Sequence, residues 1–181
     1  AKEPSLIPMY AHLDPKEVSQ VIDALNKGDI EYQYDRAGNV LVPKDKVHEV
    51  RMKLAALGLP KGMSSGYEML DKPQGFGTSQ FMETVKVKRS IEGELSRTIT
   101  SLENVRTARV HLAIPKQSSF LKKNTIASAS VMVDLYPGSE LDRTQVSGVV
   151  HLVASSVPGL DKSKVTVVDQ SGNLLTSANL T

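Results

Sequence analysis

Over the first sixty residues, apolar and polar positions alternate with periods that predict a small β-α-β-β-α module. Residues 5–13 are composed like a strand, and an Asp-Pro step with a glutamate three residues after the Asp predicts that a helix begins at Asp14. Residues 30–43 alternate with a period of two around a Gly-Asn step, which predicts a hairpin. Residues 44–60 predict a second helix. Its apolar inner face is Val47, Val50, Leu54 and Leu57.

Residues 61–78 break this periodicity and are interpreted as a glycine-rich linker. The segment contains four glycines and one proline and has no clear period. Tyr67, Met69, Leu70 and Phe76 are more apolar than a free tether requires. We therefore expect the linker to dock on one of the modules.

The pattern restarts after the linker and predicts a helix followed by two strands. Residues 79–102 carry an apolar residue at close to every fourth position, which predicts a long amphipathic helix. Residues 105–115 and 127–138 each alternate with a period of two, which predicts two strands. Between them, residues 116–124 predict a polar, basic loop.

The last part of the chain predicts one more helix and one more strand. Asp142 and Gln145 have the spacing of a capping box and predict the start of the helix, and residues 164–173 predict a short strand and a turn. The second module then has the order α-β-β-α-β, which is KH-like, and the fold class is α+β. The predicted domains are a first module (1–60), the linker (61–78), a second module (79–175) and a tail (176–181).

Composition narrows the classes of protein without choosing among them. Apolar residues make up 40% of the 181 residues, which is enough for a globular core, whereas the net charge of +2 is too small to favour nucleic acid as the main partner. The absence of cysteine excludes disulfides and thiolate metal sites. The longest strongly apolar stretch, residues 149–154, is far shorter than the ~20 residues of a membrane-spanning helix. Because the sequence begins at AKEPS without a methionine, we expect it to be a fragment or a processed chain.

No motif in the sequence supports catalysis or metal binding. The four histidines, His12, His48, His111 and His151, fall in four different predicted elements and lack carboxylates at ligand spacing. No serine stands in a GxSxG motif, and no glycine cluster has the context of a phosphate-binding loop. We therefore expect no catalytic residue, no cofactor and no small-molecule substrate.

A nucleic-acid-binding role is the alternative from a different class. KH domains use similar elements but clamp the nucleic-acid backbone with a GXXG loop. This sequence has no GXXG between two helices, and the basic residues Lys116, Lys122 and Lys123 are not accompanied by a row of aromatic residues. A solvated loop is the simpler interpretation of these lysines.

The sheet of the second module is predicted to have one open face. Alternation in the strand VRTARVHLAIP directs Val110, Leu112 and Ile114 to the core and leaves Arg109 and His111 on the other side. The neighbouring strands contribute serine, methionine, aspartate, threonine and valine to the same side. Such a mixed surface is typical either of a protein interface or of an ordinary solvated sheet face, and composition does not decide between them.

Several long segments resemble the flagellar MS-ring family (FliF-type). These segments are GLPKG (58–62), FGTSQFMETVKVKRSIEGELSRTI (76–99), ARVHLAIPKQSSF (108–120) and the run from ASASVMVDLYPG to DQSGNLL (127–175). They occur in one order over nearly the whole chain, and the most specific part is 76–175. The resemblance identifies the chain as the first two periplasmic ring-building modules of that family.

This resemblance implies a structural role in the bacterial flagellar basal body. Proteins of this type assemble as a homo-oligomeric ring, meet other basal-body and export components, and are anchored in the inner membrane by spanning helices that this sequence lacks. We expect the helix of one copy to meet the open sheet face of the next. The candidate interface residues are the outward helix residues Lys88, Glu92 and Arg97 and the sheet residues Arg109, His111, Met132 and Thr166. The related inner-membrane ring lipoprotein of type III secretion systems is an alternative, although its lipidated cysteine is absent.

Overall fold

A computed structural model describes residues 5–10, 13–36, 38–59, 78–114 and 126–176. The linker expected to dock, the basic loop and most of the tail lie outside these ranges. The elements of the first half are β1 (Leu6–Pro8), α1 (Pro15–Lys27), β2 (Gln33–Tyr34), β3 (Val40–Pro43) and α2 (Val47–Ala56). The three strands form an antiparallel sheet with the order β1-β3-β2, so the predicted β-α-β-β-α order is confirmed.

The second half contains a separate three-stranded sheet. Its elements are α3 (Thr78–Thr100), β4 (Val105–Ala113), β5 (Ser128–Leu135), α4 (Arg143–Ser156) and β6 (Val165–Asp169). The strand order is β4-β5-β6, with an antiparallel first pair and a parallel second pair. The α-β-β-α-β order and the α+β class are therefore confirmed. Two single-turn 3₁₀ helices, Lys44–Lys46 and Lys162–Lys164, precede α2 and β6.

The capping box predicted at the start of α4 is present. The backbone N–H of Gln145 donates to the Asp142 carboxylate at 2.7 Å, and the Asp142 N–H donates to the Gln145 side chain at 3.0 Å. These two bonds satisfy amide groups that a helix start leaves without intrahelical partners. The helix therefore begins where the sequence signal places it.

Both helices of the second half cover the same face of its sheet. Strand residues alternate between buried and exposed, as the period of two requires. The residues beneath the helices include Val110, Leu112, Val131, Val133 and Val167 from the strands and Leu95, Ile99, Val149 and Val153 from the helices. None of the helices in the described ranges covers the other face of the sheet, which we call the open face.

Helix α2 contributes to the cores of both halves. Val47, Val50 and Leu54 pack in the first core, whereas Met52 and Ala55 belong to the second. Leu57, predicted on the inner face, is instead 64% exposed because α2 ends at Ala56. The first half therefore packs directly on the helical side of the second half, through α2.

The chain returns along β6 after the last predicted strand. A turn from Asp169 to Asn173 leads to a bridge between Leu174 and Val168, and the Leu175 N–H donates to the Val167 carbonyl at 2.8 Å. The Thr176 hydroxyl accepts from the Val167 N–H at 3.3 Å. The sequence predicts the strand and the turn but not this return.

Candidate assembly surface

An apolar row crosses the open face of the second sheet. Met132 on β5 stands opposite Val168 on β6, and Val168 is bridged to Leu174 on the returning segment. Met132 is 53% exposed and Leu174 is 51% exposed. Residues that pair across strands share one face, so we call Met132, Val168 and Leu174 the apolar row. Arg109 on β4 lies opposite Met132, so the apolar row ends at a charged residue on the β4 side.

Polar groups flank the apolar row on both sides. His111, Ser130 and Thr166 are paired across the three strands on one side. On the other side Arg106 donates to Asp134 through Nε at 3.1 Å and Nη2 at 2.6 Å. An apolar centre with a polar border is the layout of a protein interface. The structure thus brings four of the candidate residues, Arg109, His111, Met132 and Thr166, onto one surface.

The sequence predicts that Glu92 points outward. In the structure its side chain instead binds the edge strand β4. Its carboxylate accepts from the Leu112 N–H at 2.8 Å, and its side chain is only 18% exposed. Since β4 is an edge strand, that amide has no neighbouring strand as a partner. A shallow cleft results between α3 and the open face. Its lining includes Glu92, Gly93, Ser96, Arg109, His111 and Ser130.

Removing the Glu92 carboxylate should destabilise the chain measurably. In Glu92→Ala the half-buried Leu112 amide loses its partner, and we expect a cost of about 1–2 kcal/mol in the free energy of unfolding. Glu92→Gln keeps an acceptor of the same length and is the matched control. Chemical denaturation of both variants provides the measurement. Equal stability of the two would contradict this role for Glu92.

The other two candidate residues lie elsewhere on α3. Lys88 is half-buried on the N-terminal half of the helix. Arg97 donates to Glu94 at 2.9 Å, a pair that opposite charges three residues apart on a helix can form. Glu94 also contacts α2, so Arg97 borders the contact between α2 and α3.

Arg51 on α2 joins the two halves of the chain. Its guanidinium donates to Glu94 at 3.2 Å and to the Met9 carbonyl at 3.1 Å, and it lies 5.8 Å from the centre of the Tyr10 ring. Burial opposes ionisation of Glu94, but the Arg97 hydrogen bond and the Arg51 charge hold the pKa of that carboxyl below its ordinary value. Glu94 is therefore charged at neutral pH and pairs with both arginines.

His48 on α2 makes a second polar contact with α3. Its Nδ1 lies 2.9 Å from the Thr98 hydroxyl, and Thr98 is 1% exposed. Burial lowers the pKa of His48 below its ordinary value, with nearby Glu94 acting in the opposite direction. The neutral imidazole is therefore the form present at pH 7. Neither Arg51 nor His48 was predicted to have a role, because contacts between distant helices leave no local spacing signal.

The open face lacks the usual signs of a metal site. Within the parts of the chain described above, no three His, Asp or Glu side chains are grouped so as to hold a metal ion. His111 Nδ1 lies 3.9 Å from the Glu92 carboxylate, which is an ion-pair distance when the histidine is protonated. The helices within the same ranges also include none with the length and apolarity needed to cross a bilayer.

Helices on one side of a sheet and an apolar row on its open side together define a structural interaction module. The sequence profile described as "Secretory protein of YscJ/FliF RBM domain" matches residues 68–176, and that of the "FliF N-terminal domain" matches residues 7–59. The chain therefore belongs to the YscJ/FliF family, and the resemblance seen in the sequence is confirmed.

Flagellar proteins are among the relatives with high identity. The chain is 50% identical over 177 residues to the flagellar M-ring protein of Pseudomonas aeruginosa, covering 97% of this chain and 30% of that protein. It is 47% identical over 180 residues to the flagellar M-ring protein of Escherichia coli K12, covering 99% and 32%. The chain thus spans only about a third of the length of these curated relatives.

Two solved structures are also similar. One is titled "Structure of the 58-213 fragment of FliF", with 42% identity, a TM-score of 0.46, and coverage of 86% of this chain and 100% of that one. The other is the type III secretion system protein EscJ of enteropathogenic E. coli, with 22% identity, a TM-score of 0.39, and coverage of 87% and 94%. The relatives from Pseudomonas aeruginosa and Escherichia coli K12 are both flagellar proteins, so the secretion-ring and KH-like alternatives are not favoured.

Proposed function

We propose that this chain is a ring-building part of a flagellar M-ring subunit, in the periplasmic portion of an inner-membrane protein of the basal body. Its role is structural rather than enzymatic, and its main partner is a second copy of itself. Other basal-body and export components are further partners of the assembled ring. The main support for the proposal is the apolar row at the centre of the open sheet face. The chain's membership of the YscJ/FliF family gives this surface its context.

The second surface of this contact is the N-terminal half of α3. Helix α2 contacts α3 through Glu94 and Thr98, and the segment from Met82 to Ser90 lies N-terminal to these two contacts. We call this segment the α3 arm. Glu92 lies level with Leu112 near the end of β4, so the arm extends past the end of the sheet. Most of its residues are exposed, including Met82 at 51%.

The arm of one copy lying on the open face of the next makes a heterologous contact. Contacts of this kind form a closed ring when the rotation between neighbours divides a full turn. The apolar row supplies buried area at the centre, and Lys88 lies on the arm, whereas Arg109, His111 and Thr166 border the row. Each contact is small, so ring closure and tethering of the subunits supply much of the stability.

A charge placed in the apolar row should prevent assembly. We expect Met132→Glu to abolish ring formation, because the carboxylate would lose its hydration at the centre of the contact. The chain can replace the matching segment of the Salmonella typhimurium flagellar M-ring protein, to which it is 48% identical over 180 residues. Rings are then counted by electron microscopy of membranes, and motility is scored in soft agar.

The matched control places the same charge on an apolar residue away from this face. Leu57→Glu changes a side chain that is 64% exposed at the end of α2. The unmodified chimera and the Leu57→Glu chimera should both form rings. An unmodified chimera that forms no rings, or a Met132→Glu chimera that forms them normally, would overturn the proposed function.

A further inference from the structure

Charged residues of the second half are sorted toward the two ends of its sheet. One end, which we call the acidic end, contains more carboxylates than arginines. Its acidic residues are Glu103, Asp134, Glu140, Asp142 and Asp169, and its basic residues are Arg106 and Arg143. The other end, which we call the basic end, has the opposite balance. Its basic residues are Lys86, Lys88, Arg89, Lys162 and Lys164, and its acidic residues are Glu83, Glu92 and Asp161.

The topology of the sheet produces this sorting. Helix α3 is followed after a short turn by β4, so its N-terminal arm lies toward the end where β4 finishes. Strand β6 starts at the same end, because Val165 pairs with Ala129 and Ala129 pairs with Leu112. Lys162 and Lys164, just before β6, therefore lie on the same side as the arm. The turns that precede β4 and follow β5 lie at the opposite end.

Several of these charges form no ion pair within the ranges that the structure describes. The carboxylates of Glu103 and Glu140 form no ion pair with any residue in the described ranges, although the Asn104 side chain donates to the Glu140 carbonyl at 2.6 Å and holds the two turns together. The ammonium groups of Lys162 and Lys164 likewise form no ion pair there. Both pairs are exposed and available to a neighbouring molecule.

The two ends are too far apart to neutralise each other. Eight residues of extended strand span about 26 Å, whereas exposed charges in physiological salt are screened beyond about 8 Å. Each end therefore retains its own potential. A contact that brings the basic end of one copy to the acidic end of another removes both imbalances at once, which an anionic lipid surface or a nucleic acid would not do.

We infer that opposite charges at the two ends of the sheet set the direction in which copies of this chain associate, with the basic end of one copy docking on the acidic end of the next. This inference rests on the proposed function and adds its electrostatic component. Electrostatic complementarity of this kind steers encounters and disfavours wrong orientations. Two basic ends, or two acidic ends, repel each other, so symmetric pairs are suppressed and growth proceeds head to tail.

Paired charge reversals test the inference directly. Lys162→Glu with Lys164→Glu makes both ends acidic, and Glu103→Lys with Glu140→Lys makes both ends basic. The whole chain is tethered by a C-terminal histidine tag to vesicles of neutral lipid with a nickel-chelating lipid. Because the chain has no cysteine, a single Lys27→Cys substitution allows labelling with a donor or an acceptor dye. Energy transfer between copies then reports association.

The unreversed chain should associate, and raising the salt concentration should weaken the association. Each double reversal alone should weaken it by about tenfold or more, because like charges then meet at the contact. An equal mixture of the two double reversals, with the donor on one and the acceptor on the other, should restore it. Recovery in the mixture is the decisive result, since damage to folding would not be repaired by a second damaged partner.

The failures of the two proposals are distinguishable. Absence of energy transfer for the unreversed chain at every surface density would count against self-assembly itself. Normal association of both double reversals, or no recovery in their mixture, would overturn only the inference about charge. The remaining measurement is pelleting of the chain with untethered vesicles of anionic lipid. Binding there that is lost in Lys162→Glu with Lys164→Glu, without any change in energy transfer, would assign the basic end to lipid headgroups and overturn the inference.

Discussion

Replacing Gly148 with leucine is expected to lower the free energy of unfolding by about 3 kcal/mol and to separate the two halves of the chain. A Cβ atom at this position would lie 3.0 Å from the Ala56 Cα and 3.1 Å from both the Ala56 nitrogen and the Met52 Cε. Two of these atoms belong to the backbone of α2 and cannot move without displacing that helix. Urea denaturation measures the stability, and small-angle scattering measures the separation.

Alanine substitutions at Gly93 and at Gly148 provide the controls for Gly148→Leu. At Gly93 an added Cβ would contact only the flexible end of Arg97, at 3.5 Å. Gly93→Ala should therefore stabilise α3 by up to about 1 kcal/mol through helix propensity. Gly148→Ala should be destabilising despite the same gain in propensity. If both alanine variants were equally stable, the close approach of α2 and α4 would not be the constraint on Gly148.

Loss of Arg51 should have the second-largest effect. Arg51→Ala removes the hydrogen bonds to Glu94 and to the Met9 carbonyl and exposes the Tyr10 ring that the guanidinium covers. Hydrogen bonds to charged groups contribute roughly 1.5–3 kcal/mol, and we expect a loss of about 2 kcal/mol in the free energy of unfolding. Differential scanning calorimetry at neutral pH provides the measurement.

A lysine on the same helix provides the comparison for Arg51. Lys53 pairs with Glu49 at 3.5 Å, and both side chains are at least half exposed. Lys53→Ala should cost about 0.5 kcal/mol, as is usual for exposed pairs on a helix. A double-mutant cycle between Arg51→Ala and Glu94→Ala isolates the coupling between the halves. A coupling no larger than that of the exposed Lys53 pair would show that Arg51 does not join them.

Much of the second half could be predicted from local sequence because its signals are local. The alternation around Val110 and Leu112 follows from the pleat of a strand, and the capping box at Asp142 follows from the need to satisfy helix amides. Arg109 and His111 were placed on the open face by the same alternation. These features depend on residues close together in the chain, so their spacing is visible without the fold.

The features that were missed depend on contacts between distant parts of the chain. Glu92 was predicted to be outward because helix periodicity does not indicate that an edge strand needs an acceptor beside it. Met52 and Ala55 are on the face of α2 away from its own core, where an apolar residue has no explanation until the second half is present. The return of Leu174 along β6 follows a turn that the sequence indicates but whose direction it does not.

Each outer edge of the second sheet has some of its backbone groups bonded within the chain, which limits strand pairing between crowded copies. Free edge strands accept strands from other molecules and lead to open-ended fibres. Here Glu92 takes the Leu112 amide on one edge, and Leu174 to Thr176 run along the other. Copies held at high local density therefore find fewer free backbone groups at these edges with which to pair. In the proposed assembly, fewer backbone contacts between copies would let a misplaced copy separate and bind again.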